Sequence, residues 1–173
     1  MNVILIILML LMPFPLYIAF QSLFIKQRYQ KGMEAVEEAY QRIIKTHSLT
    51  NLEINRFINR LIAVDREKGK LILIIYKNGI TWETCVALQE ISYCHTFNIT
   101  DDISNYIQKV NLDLVLRNNN STICFPFFEE GLDDVRDLKQ RSRKCEYWQR
   151  KILYYANIPP AGYKFDNTPL GKL

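Results

Sequence analysis

Residues 1–25 carry no charged side chain, and only Asn2, Pro13, Pro15, Gln21 and Ser22 fall outside the apolar set, leaving 20 of 25 apolar. A stretch of this kind fits a bilayer better than an aqueous core. Wound as a helix at about 1.5 Å per residue, Val3–Ile25 reaches roughly 34 Å, enough to cross a hydrocarbon core of about 30 Å once. Pro13 and Pro15 each remove a backbone donor, so a bend is expected near Met12–Pro15. A cleaved secretory signal is disfavoured: nothing basic precedes Val3, the run is long, and Ala19 and Ser22 are badly spaced for cutting. Lys26, Arg28 and Lys31 follow the run directly, and no basic residue precedes it. By the bias of basic residues toward the cytoplasm, the N-terminus lies outside and the rest of the chain inside; the reverse orientation is the alternative.

The remainder reads as one domain on a linking helix. Between Lys26 and His47, apolar residues recur at Tyr29, Met33, Val36, Tyr40 and Ile43, spacings of four, three, four and three. That is a narrow helical stripe, which either packs on the protein's own domain or offers a face for a partner or a second copy. His47 reads as a helix-end residue. After Ser48 the period changes. Leu61–Val64, a polar turn Asp65–Lys70, and Leu71–Tyr76 form a hairpin. Asn78-Gly79 is a turn signal, with strands at Thr81–Leu88 and Ile91–Ile99 to follow. Tyr106, Val110, Leu112, Leu114 and Leu116 alternate with Lys109, Asn111, Asp113 and Arg117, the signature of a half-buried antiparallel strand. Ser121–Phe128 returns beside it, at an edge or bulged, because Pro126 donates no ladder bond. Asp133 and Asp134 open a terminal helix with Val135, Leu138, Ser142, Cys145, Trp148, Ile152 and Tyr155 on one sector and Arg136, Arg143 and Arg150 opposite. Asn157 ends it before Pro159-Pro160.

The predicted class is therefore α+β: a transmembrane helix over 1–25, a linking helix over 26–48, an antiparallel curved sheet or small barrel over 49–157 closed by the terminal amphipathic helix, and a tail over 158–173.

This element order resembles small bacterial domains with a pleckstrin-homology-like fold. The resemblance rests on an apolar strand ending in Asp65 with a polar turn into Lys70-Leu71, on Val86-Ala87-Leu88-Gln89-Glu90-Ile91, and on the Tyr106–Phe128 hairpin followed by one helix. It covers about residues 55–157, and many such proteins also carry an N-terminal membrane segment. It implies a protein- or lipid-binding scaffold and brings no catalytic residue.

Chemistry is sparse. Cys85, Cys94, Cys124 and Cys145 show no paired metal spacing and suit a reducing compartment as thiols. Cys85 and Cys124 sit among apolar residues and are expected buried. Adjacent on a strand, Cys94 and His95 point to opposite faces. Asn98-Ile99-Thr100 and Asn120-Ser121-Thr122 match glycosylation acceptors, relevant only if the domain faces a secretory lumen. The acidic pairs at Asp101-Asp102, Glu129-Glu130 and Asp133-Asp134 fall in loops or at a helix start. No cofactor, metal or small-molecule substrate is predicted. The net charge of +4, from 22 basic and 18 acidic residues, is too mild to imply nucleic acid. Two basic sets stand out as anion or lipid contacts, Arg66 with Lys68 and Lys70, and Arg136 with Arg143 and Arg150. The expected role is a single-pass membrane-anchored interaction protein, not an enzyme, with the bilayer and a protein as its partners. The alternatives are a lipid-head-group sensor and a membrane enzyme using Cys94, His95 or Asp101-Asp102.

Overall fold

The computed structural model describes residues 13–101, 106–118 and 120–158, without the side chains of 13–26 and Arg28. One helix, α1, runs from Pro13 to His47. Seven strands follow: β1 (Leu52–Arg56), β2 (Arg60–Asp65), β3 (Lys70–Lys77), β4 (Ile80–Ala87), β5 (Ile91–Thr100), β6 (Ile107–Leu116) and β7 (Thr122–Glu129). A short 3₁₀ turn at Val135–Asp137 leads into α2 (Leu138–Tyr155). The α+β class expected from the sequence is what forms.

The strands do not form a single curved sheet or closed barrel. They pair as two antiparallel sheets, β1-β2-β3-β4 and β5-β6-β7. The break falls between β4 and β5, where Leu88–Glu90 coils into a 3₁₀ turn that carries the chain out of the first ladder. By backbone contacts the chain divides into two compact units. One takes in the chain up to Val64 with Ile72–Cys85, the other Asp65–Leu71 with the chain from Val86.

In the first unit α1 lies on the four-stranded sheet. Val36, Ala39, Tyr40 and Ile43 from the helix and Leu49 after it are buried with Leu61, Ala63, Ile72 and Ile74. Three of the five stripe residues on α1, Val36, Tyr40 and Ile43, are thus consumed by the protein's own core and closed to a partner. Tyr29 and Met33 stay exposed. Arg42 pairs with Glu83, and Arg56 pairs with Glu37 at 3.4 Å while its guanidinium lies 5.2 Å from the Tyr40 ring. The bend expected near Met12–Pro15 lies at the edge of the described residues. Among the described residues no helix is long and apolar enough to cross a membrane. Residues 1–12 of the predicted span, and the tail from Pro159, lie outside them.

In the second unit α2 packs on β5, β6 and β7. Alternation dictates which side chains meet it. Cys94, Val110, Leu112, Leu114, Phe125 and Phe127 are buried, as are Cys145, Trp148, Ile152 and Leu153 from the helix. Gln149 Nε2 donates to the Cys94 carbonyl at 3.3 Å, and Thr96 Oγ1 donates to Gln149 Oε1 at 2.9 Å. β7 is both an edge strand and bulged: the register passes from Val110 opposite Phe128 to Asn111 opposite Pro126, skipping Phe127. Both outcomes expected of Pro126 therefore occur, because an edge and a bulge each excuse its missing donor. Asn111, expected on the polar face, is buried at this bulge. Val135, expected on the apolar sector of the terminal helix, is exposed, since it belongs to the 3₁₀ turn preceding α2.

Candidate functional site

The β2–β3 turn begins at Asp65, whose carboxylate accepts the Lys68 backbone N–H at 2.9 Å and so folds the four residues after it into a tight loop. Gly69 closes the loop at φ +61°, where a side chain would be strained. Its carbonyl accepts the Leu88 N–H at 2.8 Å, which fastens the loop to the 3₁₀ turn of the same unit. The loop is therefore held at both ends, and its three cations project from a fixed base.

Arg66, Lys68 and Lys70 line a concavity of about 520 Å³ together with Leu88, Gln89, Tyr154, Tyr155 and Asn157. All of these belong to the second unit. The Arg66 guanidinium lies 5.7 Å from the Tyr155 ring centroid, a stacking contact that orients its fork without spending a hydrogen bond. Asn157, at φ 53°, turns the chain at the end of α2, and Ile158 N–H returns to the Leu153 carbonyl at 2.9 Å. This C-terminal closure sets Tyr154 and Tyr155 at the pocket wall. Among the described residues no carboxylate lines the pocket; Glu67 shares the loop and stays outside the lining. Three cations, two amides and two phenols around an open hollow suit a multiply charged oxyanion.

The second basic set does not assemble with the first. Arg136, Arg143 and Arg150 are exposed, and none lines the pocket. Arg136 is engaged locally. It grips the carboxylate of Asp134, holding that group down at about 2, and its backbone N–H donates to Asp134 Oδ1 at 2.9 Å. Of the cations predicted to flank a membrane span, Lys31 is exposed on α1, and the side chains of Lys26 and Arg28 lie outside those described. Arg141, which the sequence reading passed over, ties the start of α2 to Asp133 and Asp137 at 3.4 and 3.6 Å.

The sulfur and imidazole groups form no nucleophile. Cys94 is buried toward α2, and His95 sits on the other face, 3.9 Å from Asp113 Oδ2. Cys124 is exposed rather than buried, because it lies on β7 opposite Asp113, on the face away from α2. Its thiol donates to Asp113 Oδ1 at 2.7 Å. Asp113 thus stands between imidazole and thiol, so the group facing the Cys124 sulfur is a carboxylate and not the imidazole. Burial and the Asp113 carboxylate push the Cys124 thiol up to about 12, and burial pushes Cys94 up as well, so neither is a thiolate at neutral pH. Asp101 is tied through its backbone N–H to the Tyr106 carbonyl at 2.8 Å, and Asp102 lies outside the described residues. Among the described residues no three His, Cys, Asp or Glu side chains converge as metal ligands would.

No protein-family model matches the chain, and no curated protein or solved structure matches it either.

Tyr154, Tyr155, Gln89 and Asn157 were not predicted as site residues. No local pattern marks them, since they reach the basic loop only through the folding of the second unit.

Proposed function

We propose that this chain is a membrane-anchored interaction protein. Val3–Ile25 sits in the bilayer, the folded part faces the cytoplasm, and the second unit binds a phosphate-bearing anion in the Arg66–Lys68–Lys70 pocket. The observation that carries the reading is the convergence of three cations on one hollow walled by Tyr154 and Tyr155, with no carboxylate among its described lining residues. The uncharged leader followed at once by Lys26, Arg28 and Lys31 supports the anchor and its orientation. Seven antiparallel strands followed by one helix are consistent with the pleckstrin-homology-like resemblance and its binding role. Cys94 and Cys124 thiols held protonated by burial, with the Asp113 carboxylate also opposing a Cys124 thiolate, favour binding over nucleophilic chemistry.

The test uses the full chain in phosphatidylcholine nanodiscs, titrated with inorganic pyrophosphate and read by calorimetry. Wild type is expected to bind, and Arg66→Ala/Lys68→Ala/Lys70→Ala to lose at least tenfold in affinity. Repeating the titration in discs containing phosphatidylglycerol separates the sources. A lipid headgroup as the natural occupant competes with pyrophosphate, whereas a free phosphate compound leaves binding unchanged. Equal affinity in wild type and the triple variant would remove the pocket from the account.

A further inference from the structure

The first unit exposes five large apolar side chains among those described: Tyr29, Met33, Ile58, Ile80 and Trp82. They are not scattered. Tyr29 and Met33 flank Gly32 on α1, where an added Cβ would lie 3.3 Å from Tyr76 Cδ1 and 3.7 Å from Asn59 Cβ. Asn59 belongs to the β1–β2 turn, and Tyr76 leads into the β3–β4 turn. The two turns are tied together, Tyr76 N–H donating to the Asn59 carbonyl at 2.7 Å and Asn59 Nδ2 donating to the Tyr76 carbonyl at 3.3 Å. Ile58 is in the first turn, and Ile80 and Trp82 follow the second.

The direction of the sheet against the helix follows from a second contact. Arg42, ten residues beyond Gly32, pairs with Glu83, three residues past Ile80 and back down β4. Moving away from the turn tips therefore means moving toward the C-terminal end of α1. The tips point the other way, toward the end of α1 that continues into the uncharged stretch.

Distances then place them. Gly32 lies seven residues after Ile25, about 10 Å along a helix. β3 extends past Tyr76 by Lys77 and Asn78, about 3.3 Å per residue, which carries the tip roughly 6 Å back toward Ile25. The headgroup layer on one side of a bilayer is about 5–8 Å thick. With Ile25 at the hydrocarbon boundary, the Asn78-Gly79 tip sits at headgroup depth.

We propose that the β1–β2 and β3–β4 turns of the first unit rest in the lipid headgroup layer beside the point where α1 enters the bilayer, with Ile58 and Ile80, the exposed apolar side chains at the tips, in contact with lipid. This rests on the membrane-anchored reading above. The bilayer is the occupant because the exposed apolar groups gather at the end of the unit continuous with the uncharged leader. Their chemistry fits: Tyr, here Tyr29, favours the membrane–water interface, and the exposed Lys31 and Lys77 beside them complement anionic headgroups. Ile80 is 57% exposed and Ile58 40%, so both make the contact without unfolding anything.

The experiment uses full-length protein in phosphatidylcholine–phosphatidylglycerol vesicles and two readouts. Carbonate washing reports the anchor. The tip is read from a fluorophore placed at its first strand residue, Ile80→Trp in a Trp82→Phe background, with the emission of Trp82→Phe alone subtracted, because the remaining tryptophan, Trp148, is buried in the second unit. Phospholipids brominated near the headgroup are expected to quench the position-80 component by about half, aqueous iodide to leave it nearly untouched, and Ile58→Asp in the same background to reduce the lipid quenching at least twofold. Carbonate-resistant protein whose position-80 emission is quenched by iodide and not by brominated lipid overturns the tip contact and leaves the anchor standing. Protein washed off by carbonate overturns both.

Discussion

Cys124 lies on the surface of β7, yet its thiol keeps its proton well past neutral pH, because partial burial and the carboxylate of Asp113 both oppose a thiolate. Exposure alone would have marked it as reactive. Asp113→Asn is expected to speed alkylation of Cys124 by iodoacetamide at pH 8, by on the order of tenfold for each unit its pKa falls. Peptide mapping reads this directly, and an unchanged rate would mean the carboxylate does not control the sulfur. The reason Cys124 was misplaced by sequence reasoning is also local: its neighbours Ile123 and Phe125 are apolar, but strand alternation sends them and Cys124 to opposite faces. Gly32 makes a complementary point. In an α-helix glycine is a poor choice on propensity, and here it is kept where α1 passes within contact of Tyr76. Gly32→Ala is expected to be near neutral, the gain in propensity offsetting a small shift of the Tyr76 ring. Gly32→Val is expected to cost about 1–3 kcal/mol in a detergent melt, through overpacking.

At the scale of elements, the fit of α2 on β5, β6 and β7 concentrates the second unit's core. Trp148 is buried there, and Trp148→Ala is expected to cost about 3–5 kcal/mol, measured by thermal melting. Cys145 sits in the same contact, 3.5 Å from Thr96 Oγ1 and from the Asn111 carbonyl, and burial raises its thiol to about 12; Cys94 is raised likewise. These groups stay protonated in the native protein while an unfolded chain loses the protons near pH 9. The stability they contribute is complete below pH 9 and is lost as pH climbs from there toward 12. The melting temperature is therefore expected to fall more steeply above pH 9 in wild type than in Cys94→Ala/Cys145→Ala, even though that variant starts lower at pH 7. Most elements were legible beforehand. β2, β3, β6, β7 and α2 announce themselves by period, and the Pro126 bulge by the missing donor. β1 did not, because Leu52–Arg56 offers only two apolar residues, and its strand state is decided by pairing with β2 rather than by its own pattern.

For the whole molecule, the first unit's core among the described side chains begins at Val36. A chain starting at Lys26 is therefore expected to stay in aqueous solution and melt cooperatively, whereas one starting at Ser48 strips Val36, Ala39, Tyr40 and Ile43 from the sheet and is expected to aggregate. Circular dichroism and size exclusion distinguish the two. Local rules act over a few residues, so the sequence by itself determined the α+β class, the turns at Asp65–Lys70 and Asn78-Gly79, the placing of Arg143 and Arg150 opposite the apolar sector of the terminal helix, and the uncharged leader. Only the tertiary structure decided that the strands split into two sheets, that Val36, Tyr40 and Ile43 serve the core while Tyr29 and Met33 do not, and that Tyr154 and Tyr155 meet Arg66, Lys68 and Lys70. Those outcomes depend on contacts between segments far apart in the chain, and periodicity within a single segment does not encode which distant surface it will meet.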